Sequence, residues 1–128
     1  MIAIDSSVLV RYFVQDDPSQ AAAATRLLEE HLSPTTPGLI TTVALHETAW
    51  VLQRIYKLQP DEVRSIFVHL LDAPNLVVEH FEQVAEALEA PSAFSDALIH
   101  FVGQASGCTK TVTFDKRFAR LKGVELLV

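Results

Sequence analysis

Four acids in this chain stand where an acid can do chemistry. Asp5 ends the apolar run Ile2-Ala3-Ile4, and Asp115 follows the run Thr109–Thr113. Asp96 opens a helical pattern, and Glu47 lies in the first half of another. Singly, each has an ordinary explanation. A strand-end Asp caps the next helix, a first-turn acid complements the helix dipole, and a mid-helix Glu is solvated. As a set they differ, because four carboxylates in one place repel strongly unless a cation neutralises them. Clustered carboxylate oxygens suit a hard ion such as Mg2+ or Mn2+. Such an ion polarises a phosphate and lowers the pKa of an attacking water, which is the chemistry of phosphodiester hydrolysis.

The elements that must position these acids are legible in order. Ile2–Ile4 has nothing polar in it and fits a strand buried on both faces. Ser6 and Ser7 are both good helix N-caps, and Val8, Leu9, Tyr12 and Phe13 recur at helical spacing. Asp17 as N-cap and Pro18 at the first helical position begin a second helix, with Ala21–Leu32 rich in Ala and Leu. Ser33–Gly38 is a loop, Leu39-Ile40 a second strand, and Thr41 or Thr42 a cap. Val43–Tyr56 reads as a helix with Ala44, Leu45, Ala49, Val51, Leu52, Ile55 and Tyr56 on its apolar face. Val43 and Trp50 interrupt its polar side, where Glu47 stands.

Asp61–Asp72 is a clean amphipathic helix, Leu76–Val78 a third strand, and Glu82–Leu88 a short helix. Ser92 or Ser95 caps a helix that runs to about Ala105, with Gly107 as its terminator. Thr109–Thr113 and Val124–Val128 are two more strands, separated by a helical turn at Lys116–Leu121. This alternation predicts an α/β fold with a mainly parallel central sheet of about five strands flanked by helices. In such a sheet the strand-to-helix handover lies at the carboxyl edge, where ligands bind, so all four acids are expected at one edge.

The bulk properties bound the answer. A chain of 128 residues suggests a single domain, 1–128, and 49% hydrophobic residues suffice for a real core. The single cysteine, Cys108, rules out an internal disulfide and fits a reducing, cytoplasmic setting. No apolar run approaches the ~18 residues of a membrane helix, and the N-terminus does not read as a signal peptide. A net charge of −6 is not that of a simple basic nucleic-acid binder. The charge is uneven, however. Lys110, Lys116, Arg117, Arg120 and Lys122 are half of the 10 Lys and Arg residues, clustered near the C-terminus. They form either a solvated face or a phosphate-contacting patch.

The acids stand in a spaced pattern: IDSS at 4–7, HE at 46–47, SDALI at 95–99 and TFDKRF at 113–118. Taken together and in order, the set resembles the PIN domain, and within it is most similar to the VapC toxins of bacterial and archaeal toxin–antitoxin pairs. The resemblance spans the chain. It implies a PIN-like (Rossmann-like) three-layer α/β fold and a Mg2+- or Mn2+-dependent endoribonuclease. It maps the family's acids onto Asp5, Glu47, Asp96 and Asp115, the polar residue of the last motif onto Thr113, and the Ser beside the first acid onto Ser6 or Ser7. On this basis Asp5 and Asp96 are expected as direct metal ligands. Glu47 and Asp115 bind water, position it, or hold a second ion. Lys116, Arg117 and Lys110 are the candidates for RNA contact. The resemblance also implies a small antitoxin that wraps the protein, and a homodimer. The helices Pro18–Leu32 and Val43–Tyr56 are candidate surfaces, with Trp50 and Tyr56 as anchors.

A PIN-like RNA-binding or housekeeping nuclease module without a toxin role is the alternative. Other acidic sites fit less well. Response-regulator receivers need an acid pair after the first strand, where this chain has Ser6-Ser7, and a phospho-acceptor Asp where it has Glu79. Haloacid-dehalogenase phosphatases need an Asp at position 7, which is Ser. His46-Glu47 opens a zinc HExxH motif, but position 50 is Trp. His31, His46, His69, His80 and His100 show no ligand spacing and are expected at the surface or the core edge.

Overall fold

Strand and helix alternate along the chain as the patterning predicts, and every registered strand pair is parallel. The computed structural model describes residues 1–128 and divides into two units, Met1–Glu79 and His80–Val128.

In the first unit, β1 (Ile2–Ala3), β2 (Gly38–Ile40) and β3 (Leu76–Val78) pair in the order β1-β2-β3. Ile2 stands opposite Gly38, and Gly38 opposite Leu76. Parallel strands need crossover connections, and the helices supply them. These are α1 (Ser6–Val14), α2 (Pro18–Thr25), α3 (Thr42–Arg54) and α4 (Pro60–Asp72), with a π-helical turn at Arg26–His31. Their starts are chemically marked. Asp17 accepts from the Gln20 N–H ahead of Pro18, Thr41 accepts from the Ala44 N–H, and Gln59 forms a capping box with Glu62. Leu9, Ile40, Leu45, Leu52, Phe67 and Leu70 are fully buried and form the centre of this unit's core.

At Gly38 the packing leaves no room for a side chain. A Cβ there would lie 2.8 Å from Ile4 Cγ1 and 2.9 Å from Leu32 Cδ1.

The second unit holds α5 (Phe81–Glu89), α6 (Phe94–Ala105), β4 (Thr111–Thr113), a 3-10 turn (Phe118–Arg120) and β5 (Val124–Leu126). β4 and β5 pair with Thr111 opposite Val124. Helix α5 packs on α6, and Val84, Ala87, Ala97, Leu98, Phe118 and Val124 are buried. Gly107, at φ 94°, ends α6 as expected: its N–H bonds the Gln104 carbonyl and the Cys108 N–H bonds that of Gly103.

Where the structure departs from the sequence expectations, the causes are local. β1 is not buried on both faces: Ile2 is 49% exposed, and of its apolar run only Ile4 is buried. β1 is a two-residue edge strand of its ladder. The five strands bond as one ladder of three and one of two. The buried face of α3 is narrower than its apolar pattern, being Leu45, Thr48, Ala49 and Leu52. Ile55 falls at the C-cap and is exposed, as is Trp50 at 50%. Neither Ser92 nor Ser95 caps α6. Ala93 holds that position, Ser92 lies one residue too early and Ser95 is already inside the helix. No helix is long and apolar enough to cross a membrane.

Candidate active site

At the handover from β1 to α1 the N-cap is Asp5, not Ser6 or Ser7. Its Oδ2 accepts from the Ser7 N–H at 3.0 Å and from the Ser7 hydroxyl at 2.6 Å. A carboxylate is the stronger acceptor, so it takes the capping role and the hydroxyls become donors. The Ser7 hydroxyl bond, and after it the Ser7 amide bond, hold the exposed Asp5 carboxyl below the ordinary carboxylate range.

The neighbouring serine acts on the second acid. Ser6 is buried, and its Oγ donates to Glu47 Oε1 at 2.5 Å, joining α1 to α3. Glu47 is therefore tethered, which a mid-helix Glu with apolar neighbours does not reveal in sequence. The start of α3 is fixed as well: Thr41 caps it, and Glu79 Oε1 accepts from the Thr42 N–H at 2.8 Å. The first unit thus brings Asp5 and Glu47 together through two consecutive serines.

The second unit holds the other two acids. Asp115 follows β4, and its N–H donates to Thr113 Oγ1 at 3.0 Å. Its Oδ1 accepts from the Arg117 N–H at 2.8 Å and the Phe118 N–H at 3.1 Å. Thr113 therefore orients the backbone of Asp115, and Asp115 caps the turn that follows. Asp96 is in the first turn of α6, where the helix has no side-chain cap. Burial, and secondarily the charge of Asp115, push the Asp96 carboxyl above its ordinary value. Lys116 and Arg117 are exposed beside Asp115. Lys110 is engaged across the ladder, with Nζ 3.0 Å from Glu125 Oε2. Both partners of that pair are more than half exposed, so it contributes little stability.

One residue of this unit departs from expectation. His100 is not at the surface or core edge but 1% exposed, one helical turn after Asp96. Its Nδ1 lies 2.8 Å from Thr111 Oγ1, which fastens α6 to β4. Gly123, at φ 90°, packs against the imidazole: a Cβ there would lie 2.8 Å from His100 Cε1. The helical pattern of α6 points His100 away from its main apolar face. Nothing in the sequence marks its burial, which depends on the packing of a glycine 23 positions away.

The PIN domain family matches residues 2–124 of the chain. The chain belongs to the PIN domain family. No curated protein matches it. The matched span of this PIN domain includes all four acids, from Asp5 to Asp115, together with Ser6, Ser7 and Thr113. PIN domains are generally metal-dependent nucleases that use divalent ions. The four acids are oxygen donors, the type that Mg2+ and Mn2+ prefer. No three or more His, Cys, Asp or Glu side chains gather where they could hold a metal ion; Asp5 and Glu47 belong to the first unit, Asp96 and Asp115 to the second.

Proposed function

We propose that this PIN domain, acting as one domain over residues 1–128, is a Mg2+- or Mn2+-dependent endoribonuclease whose site comprises Asp5, Glu47, Asp96 and Asp115. The observation that carries the reading is that every acid of the PIN pattern is present, and three of them are held by fixtures of their own. Ser7 holds Asp5, Ser6 holds Glu47, and the Arg117 and Phe118 amides hold Asp115. Such fixtures preorganise ligands before the ion arrives.

In this reading Asp5 and Asp96 are the direct ligands, and Glu47 and Asp115 position water or hold a second ion. The bound ion supplies the charge that polarises the phosphate and acidifies the attacking water. Glu47 Oε1 accepts from the Ser6 hydroxyl, which would turn Oε2 toward a water or a second ion. Lys116 and Arg117 bind the RNA backbone, while Lys110 serves the ladder first through Glu125.

Asp5→Asn tests the centre of the proposal. Asn is as good an N-cap as Asp, so the variant is expected to fold. Total RNA incubated with wild type should be cut only when Mg2+ or Mn2+ is added, and not at all by the variant. Cleavage retained by purified Asp5→Asn removes the proposed site.

The similarity to VapC toxins supports a cytoplasmic toxin restrained by a small antitoxin, working as a homodimer. Trp50, half-exposed one turn from Glu47, is a suitable anchor for such a partner. Tyr56 is less suitable, because its hydroxyl donates to Asp16 at 2.7 Å and accepts from Arg11 at 2.8 Å. Growth arrest on expression, relieved by a small neighbouring gene product, is the expected result. Growth without arrest favours a housekeeping nuclease.

A further inference from the structure

Two phenylalanines in the stretch 113–118 have opposite fates. Phe118 is 5% exposed and anchors the turn, whereas Phe114 is 78% exposed. Thr111 and Thr113 of β4 are committed to His100 and to the Asp115 amide, and Phe114 follows at the bend that ends the strand, where nothing covers it.

Nor does Phe114 hang on a loose loop. It lies between Thr113, whose hydroxyl accepts from the Asp115 N–H, and Asp115, whose carboxylate accepts two further amides. A ring held out by so constrained a backbone needs little further ordering to bind a ligand. The next two residues, Lys116 and Arg117, are exposed cations. A flat apolar ring followed by two cations is the chemistry that takes a nucleotide, with its base stacked on the ring and its phosphate on the charges.

We infer that Phe114 is a stacking platform for an unpaired nucleobase adjoining the phosphate presented to Asp115. The inference deepens the nuclease reading and rests on it. A short RNA oligomer carrying 2-aminopurine tests it, titrated in Mg2+ into protein with the Asp5→Asn background so that nothing is cut. Stacking should quench the fluorophore on binding. Phe114→Ala should raise Kd roughly tenfold and abolish the quenching. Phe114→Trp should restore both, and Phe114→Leu neither. Binding of the same sequence as a duplex should be unaffected by all three changes. Because the ring is exposed, the melting temperatures should stay together.

Unchanged Kd and quenching in Phe114→Ala overturn the inference. So does rescue by Leu as complete as by Trp, which marks a generic apolar contact. So does a loss of self-association with RNA binding intact, which makes Phe114 a protein-docking residue. The two levels separate cleanly. If wild type cuts no RNA while Phe114 still quenches, the nuclease reading fails alone. If wild type cuts and Phe114→Ala keeps its kcat/KM on single strands, the stacking fails alone.

Discussion

Asp5 and Asp96 are pushed in opposite directions by their surroundings, and the difference is measurable without substrate. The bonds from Ser7 favour the charged form of Asp5. Asp5 therefore contributes stability above its ordinary value of 3.8, and that contribution is lost as pH falls through its lower folded value. Asp96 has the reverse sign. Its folded value lies above 3.8, so the folded protein binds the proton more tightly and loses stability as pH rises through that window. In metal-free buffer at pH 7, Asp96→Asn should therefore melt at a higher temperature than wild type, with the gap closing below about pH 3, while RNA cleavage disappears. A lower melting temperature would mean that the helix N-terminus favours the charged carboxylate by more than burial disfavours it. The four acids stood out in the sequence by type and order, and the PIN family match spans all of them. The Ser6–Glu47 bond was not, since a partner 41 positions away is chosen by packing rather than by spacing.

At the scale of elements, strands and helices were legible because apolar periodicity and turn formers mark them, as the Pro18, Thr41 and Gly107 boundaries show. Caps were harder where several good candidates stood together, as at Asp5-Ser6-Ser7, because their competition depends on acceptor strength and on what else each hydroxyl can reach. His100 was illegible: its burial arises because β4 and Gly123 cover a flank of α6 that the helical pattern leaves polar. The His100–Thr111 bond ties the helix bearing Asp96 to the strand leading to Asp115. Thr111→Val should lower stability by roughly 1–3 kcal/mol, because it leaves the buried His100 unsatisfied, and His100→Leu should also destabilise, by losing the bond to the half-buried Thr111. The double variant should fall well short of the sum, as denaturant titration of the full cycle would show. Additive losses would mean that the two side chains do not act as a pair. Gly123→Ala should also destabilise, through both its φ of 90° and the approach to the imidazole.

For the molecule as a whole, charge would set the terms of the proposed encounter with RNA. A net charge of −6 repels a polyanion, so binding must rest on the local cations and on bound divalent ions. If Lys116 and Arg117 each neutralise one phosphate, the logarithm of the binding constant should fall with the logarithm of salt at a slope of about −1.4, and Lys116→Ala should reduce its size by about 0.7. A slope unmoved by Lys116→Ala would take that residue out of the interface. Gly38 has a consequence of a different kind. It carries no functional group, yet any larger residue would drive into the side chains of Ile4 and Leu32 and force them to repack beside Asp5. In a mutational scan selected for activity, position 38 would be as intolerant as the acids themselves. Intolerance in such a map would trace the fit of β1 against β2 as faithfully as it traces chemistry, and only a parallel scan for folded abundance would tell the two apart.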